Sequence, residues 1–256
     1  MEPFLLRVVV LTTALSAQVP VPAKQRPSPS PAVGETSVPF VGCPSDGQLG
    51  AVEAPSNGTS VSVSPPEVAQ KLAFYKSASI GVLALRGWHC FGTYGSGGDS
   101  IIATPGEIDT TKIFSRDRIN LAGPAISLSL IWGGTSGRFS VADIIARVFP
   151  TRTDFVRGVQ NEGDMLQSTF TFGPYPADTL AYKSKTVVEY RTAARSEGLG
   201  TQFGLSRSDW PIDGVAMLLG TTPDLVLLQV RLGPEHDEIT KAIVHQTERE
   251  AWRLAP

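Results

Sequence analysis

The chain has 256 residues, with 22 lysines and arginines against 24 aspartates and glutamates and a formal charge of −2. That near balance, with the basic residues scattered along the chain, excludes the clustered positive excess that a nucleic-acid partner or an anionic membrane surface requires. The length fits one domain of moderate size with a substantial core.

Residues 1–17 place Arg7 before a short apolar run that ends in small residues around Ala14 to Ala17, the layout of a signal peptide. The run is shorter than the roughly 20 residues needed to span a bilayer. It therefore reads as cleaved, leaving no transmembrane segment and a periplasmic or secreted protein. Residues 18–39 repeat proline with serine, alanine and valine. That composition cannot build a packed core and reads as a proline-rich, disordered leader. Residues 40–256 are left as a single domain.

Only two cysteines are present, and in an exported protein they invite pairing as Cys43 with Cys90. The rival reading is a reactive Cys90 thiol activated by His89, but adjacent residues of a strand face opposite ways. Beyond Cys43, Val61 and Val63 alternate with serines as a short strand. Pro65-Pro66-Glu67 then opens a helix of about ten residues, with Val68, Leu72 and Tyr75 on one face. Ile80 to Leu85 reads as a strand.

The chain is organised around Gly87 to Asp99, GWHCFGTYGSGGD. Trp88, Phe91 and Tyr94 bring large apolar surfaces around Cys90, which predicts a core strand. Gly95, Gly97 and Gly98 permit a sharp reversal, and Ile101 and Ile102 begin the returning strand. A ligand at this glycine loop would meet His89, Tyr94 and Asp99 at its rim. The loop completes no catalytic or nucleotide-binding motif. Tyr94 stands where a nucleophile elbow at Ser96 would need glycine, and Ser100 where a dinucleotide fingerprint would need its third glycine.

Residues 105–120 read as loop. Ile126, Leu128, Leu130 and Trp132 then alternate with Ser127 and Ser129, the period of a half-buried strand. Gly133-Gly134-Thr135-Ser136-Gly137-Arg138 follows, with Ser140 as the expected N-cap of a helix running from Val141 to Pro150. Helix N–H groups, an open glycine approach and the Arg138 cation make Ser136 and Arg138 candidates for holding an anion. The lysine and hydroxyl pair of a phosphate-binding P-loop is missing.

A second helix covers Asp154 to Gln160, and Thr186 to Thr192 forms a strand with one wet face. Gly198 and Gly200 mark a loop and Asp213-Gly214 a turn. Val215 to Leu219 and Leu225 to Leu232 form an antiparallel hairpin near the middle of a sheet, with Gln229 and Arg231 on the face away from the core. The last helix begins after Pro234, and Trp252 would anchor its end. His236 and His245 point about half a revolution apart on it. His245 and Glu248 share a face, but two ligands without a third predict no metal site. No cofactor is expected.

GWHCFGTYGSGG, with VGCPSDG before it and PIDGVAMLLG and PDLVLLQVRL after it, resembles a group of exported bacterial proteins without an assigned activity. The resemblance implies an envelope or secreted location, supports the pairing of Cys43 with Cys90 and carries no catalytic residue. The expected fold is α+β, a mostly antiparallel sheet packed by helices on one side. The leading functional expectation is a non-catalytic module that binds an envelope component, a protein or a small ligand, or that serves a structural role. The alternative is a secreted hydrolase using dispersed acids such as Asp99, Asp213 or Glu189 with His89.

Overall fold

A glycine turn joins two strands into a hairpin near one edge of the main sheet. In the computed structural model, which describes residues 35–59, 61–113, 121–162 and 170–251, His89–Gly95 (β7) and Gly98–Thr104 (β8) pair antiparallel through the predicted glycine turn. The expected signal peptide, most of the expected leader and Trp252 lie outside the described residues. Counted from the start of the chain, the earlier strands are Thr36–Val38 (β1), Phe40–Gly42 (β2), Ser45–Gly47 (β3), Val61–Val63 (β4), Leu72–Lys76 (β5) and Gly81–Leu85 (β6). The fold therefore takes in the last residues of the proline-rich stretch, because β1 pairs with β4.

The main sheet has eight strands. Ala125–Ile131 (β9), Asp178–Tyr182 (β10), Val187–Thr192 (β11), Ile212–Leu219 (β12) and Asp224–Arg231 (β13) join the hairpin in the order β10-β11-β12-β13-β9-β8-β7-β3. All its pairs are antiparallel except the parallel edge pair of β3 with β7. A second, three-stranded sheet has the order β2-β5-β6. The chain steps from the small sheet to the large one between β2 and β3. Cys43, at that step, is disulfide-bonded to Cys90 in β7, with a Cα separation of 5.4 Å. The bridge excludes a free Cys90 thiol.

The α+β class and the antiparallel sheet match expectation, but the helices do not lie on one side. One face, carrying Ile101, Ile126, Leu128, Val226, Leu228 and Val215, packs on the small sheet and on Ile239, Ile243 and Val244 of helix Asp237–Glu250. The opposite face meets helices Arg138–Val148 and Thr153–Glu162, through Ile131, Val188, Tyr190, Ala216 and Leu227. In chain order the helices are α1 (Pro66–Ala69), α2 (Arg138–Val148), α3 (Thr153–Glu162) and α4 (Asp237–Glu250). Because β9 and β13 are central and covered from both sides, every residue of β9 is buried. The half-buried reading of that strand fails for this reason.

Three local expectations are corrected. The helix expected from Pro66 stops at Ala69, because Leu72 to Lys76 instead pairs with both β2 and β6, and Leu72 and Tyr75 become buried in that sheet. Helix α2 starts at Arg138, with Gly137 as its cap, so Ser140 lies in the first turn rather than before it. Gly214 is no turn but lies within β12, where Tyr190 from the neighbouring strand crosses over it. A Cβ at Gly214 would lie 2.7 Å from the Tyr190 hydroxyl and would clash with the Leu228 carbonyl, and these two groups hydrogen-bond to each other at 2.8 Å.

Candidate functional site

The two glycine loops singled out in the sequence touch each other. Trp132 N–H donates to the Gly97 carbonyl at 3.0 Å, and the Ser96 and Ser136 hydroxyls lie 3.1 Å apart. A Cβ at Gly137 would collide with the Gly97 carbonyl, so glycine is what allows this approach. Gln48 braces the same corner, donating to Ser96 Oγ at 3.1 Å and accepting from Ser96 N–H at 3.0 Å. The start of α2 is thereby fastened to the β7–β8 turn.

Below this corner opens a cleft of about 670 Å³, within the size range of small-molecule sites. Its floor is the helix-α2 face of β7, β8 and β9. Cross-strand pairing sets Thr93 opposite Ser100 and Ser100 opposite Ser129, so three hydroxyl side chains form a row across the three strands. The Thr93 and Ser100 hydroxyls are 2.6 Å apart. Ser136 and Ser140 line the α2 side, while Ile102, Ile113, Leu121 and Phe203 line the rest. The wall is hydroxyl-bearing and apolar, and it contains no lysine, arginine, histidine or glutamate among the described residues.

The far wall is held by the polar face of β13. Gln229, fully buried, donates through Nε2 to the Gly200 carbonyl at 3.0 Å and to the Gln202 carbonyl. That anchors the chain leading to Phe203, which has a positive φ of 55° and remains 37% exposed at the cleft. Arg231, also fully buried, donates to the carbonyls of Gly123 at 2.7 Å, Ser206 at 2.5 Å and Leu121. Burial lowers its guanidinium to about 10, so it stays charged at neutral pH. These donors tie segments distant in sequence onto one strand.

The five predicted ligand residues separate. Ser136 presents its hydroxyl at the cleft rim. Tyr94 and Asp99 also line the cleft, but their side chains are engaged elsewhere: Tyr94 donates to the Gly50 carbonyl at 2.5 Å, and the Asp99 carboxyl lies beside Ser79. Asp99 alternates with Ile101 and Ala103, which belong to the opposite core, so its carboxyl turns away from the hydroxyl row. Burial pushes that carboxyl above the usual range, against the lowering effect of Ser79. Arg138 is paired with Glu162 at 2.9 Å, an electrostatic contact without hydrogen-bond alignment. It also donates to the Thr135 carbonyl at 3.0 Å. Its charge is thus spent on structure, and it does not line the cleft.

His89 is exposed at the opposite end of β7, across from Thr104. Five residues of strand put it about 17 Å from the position opposite Asp99. Asp213 is bound to Arg191 at 2.9 Å and Glu189 to Lys183 at 2.9 Å, both on strands far across the sheet from β7. The acids of the hydrolase alternative do not gather around His89.

Comparison with protein-family models, with curated proteins and with solved structures gives no match to this chain. The site therefore rests on its own geometry. Thr93, Ser100, Ser129 and Phe203, which the sequence reading did not name as ligand residues, supply its hydroxyl row and its aromatic rim. The alternation of serines in β9 was the available signal, but it was read as a solvent face. Among the described residues, no helix is long and apolar enough to cross a membrane.

Proposed function

We propose that this chain is an exported, non-catalytic binding module whose cleft takes a small, uncharged, hydroxyl-rich ligand such as a sugar or polyol. The observation that carries this reading is the row of Thr93, Ser100 and Ser129 on the floor of a cleft whose walls add the Ser136 and Ser140 hydroxyls, aliphatic groups and Phe203. Hydroxyls donate and accept at once, which suits a ligand that presents the same groups. An exposed aromatic ring at the rim offers an apolar face against which a pyranose-like ring can pack. An anionic ligand is disfavoured, because Arg138 is already paired with Glu162 and directed away. Export is supported by the signal-like residues 1–17 and by the Cys43–Cys90 bridge, which persists in oxidising compartments.

Thermal-shift screening of the mature protein against neutral saccharides and polyols, with phosphorylated and carboxylated counterparts alongside, tests the site. A neutral ligand should raise the melting temperature, and Ser100→Ala or Phe203→Ala should each weaken it by about fivefold, the loss of one modest contact. Stabilisation by the anionic set alone, or neutral binding unaffected by both substitutions, refutes the reading. Mass spectrometry of the protein recovered from the periplasm or medium should show a mature N-terminus near Gln18. A full-length chain retained in the cytoplasm would refute export.

A further inference from the structure

On the other side of the molecule, β11 and α4 bring together a constellation that lies apart from the cleft. His245 and Glu248 are one turn apart on α4, and β11 supplies Glu189 from far away in sequence. One potential ligand atom from each lies within 4.8 Å of the others. His245 Nδ1 and Glu248 Oε2 are 3.7 Å apart, close to the ~3.4 Å edge of a tetrahedron of ligands about 2.1 Å from a metal. The third ligand that the helix alone lacked is thus provided by the sheet.

The cluster is electrostatically incomplete as it stands. Glu248 Oε1 is buried without a hydrogen-bond partner, and the group beside this side chain is the carboxylate of Glu189, itself an acceptor. Lys183 neutralises Glu189 from one side at 2.9 Å, through Oε1. The remaining nearby charges are already matched, Arg191 with Asp213 at 2.9 Å and Lys241 with Glu238 at 2.7 Å. Lys183 meets Glu189 but leaves Glu248 Oε1 without a hydrogen-bond partner, and a cation shared by the two carboxylates and the imidazole would supply one.

We propose that Glu189, His245 and Glu248 form a binding site for a divalent transition metal, with zinc the best fit. One nitrogen and two carboxylate ligands suit zinc, whereas magnesium and calcium prefer all-oxygen shells. Glu189 and His245 also line a neighbouring cleft of about 360 Å³. A three-ligand site bordering that space has room for a fourth, exchangeable ligand, the arrangement of an open zinc site rather than a closed structural one.

Untagged protein stripped with EDTA and titrated calorimetrically with zinc chloride decides the matter. One-to-one saturable binding is expected, together with a rise in melting temperature. His245→Gln changes a side chain that is 66% exposed, so the fold should survive it, and zinc affinity should fall by at least about tenfold. Glu248→Gln should cause a similar loss, while His236→Gln, just before α4 and outside the cluster, should bind as the parent does. Absence of saturable zinc binding overturns the proposal, as does binding that is indifferent to both His245→Gln and Glu248→Gln. If Glu248→Gln raises the melting temperature of a parent that binds no zinc, the two glutamates are an acid pair sharing a proton, and the metal site is wrong.

Discussion

On β9 and β13, Ile126, Leu128, Leu130, Val226, Leu228 and Val230 form one face, and Ser127, Ser129, Gln229 and Arg231 form the other. Both faces are buried, yet they are held by different physics. The apolar face packs against β5, β6 and α4, where stability comes from area removed from water and is non-directional. The polar face is covered by loops, and the Gln229 and Arg231 donors on it are matched to particular carbonyls. The first kind of contact fills a core, whereas the second fixes where loops lie, and the cleft depends on that second face.

Removing a single polar anchor should therefore cost as much as a deep core truncation. Arg231→Leu strands the carbonyls of Leu121, Gly123 and Ser206, and a loss of about 5 kcal/mol is expected from three buried acceptors left without donors. Urea denaturation measures it, and a cost near zero would mean that the loops find other partners. On the apolar face, the paired change Cys43→Ser and Cys90→Ser should cost about 4 kcal/mol by the loop-entropy argument, for a sequence separation of 47. An unchanged denaturation midpoint would show the bridge to be dispensable. Leu128→Ala, whose side chain faces Leu228 and Ile101 across the neighbouring strands, should cost about 3 kcal/mol through lost burial and the cavity left behind. Unlike Arg231→Leu, it should leave ligand affinity at the cleft intact in the fraction that remains folded.

The smallest effect concerns Asp99, the carboxyl that faces the apolar side. Burial raises its pKa above the unfolded value near ~4. Its favourable contribution is fully present below that unfolded value and is lost as the pH rises through the raised folded one. Asp143, Asp178, Asp213 and Glu248 are shifted in the same direction, each chiefly by burial. These carboxyls should consequently make the protein more stable at about pH 4 than at neutral pH. Asp99→Asn should narrow that difference, measured as denaturation midpoints at the two pH values. An identical pH dependence in the variant would show that Asp99 is as well solvated folded as unfolded.

Local pattern determined a good part of this protein. The glycine-punctuated hairpin of β7 and β8, the alternating strand β9, the β12–β13 hairpin, the last helix and the Cys43–Cys90 pair all follow from residue types and spacing. Periodicity depends only on neighbours along the chain, so it reports such elements faithfully. It could not report what covers them. Serines at every second position look alike whether they face water or a buried cleft, and only the packing of α2 and the 199–204 loop over β9 makes the difference. Leu72 and Tyr75 match a helical face as well as a strand, and pairing with β2 and β6 chose the strand. The meeting of Glu189 with His245 and Glu248 likewise awaited the tertiary structure, because α4 lies across a sheet whose strands come from distant parts of the chain, and a charge on β11 acquires meaning only from what is folded against it.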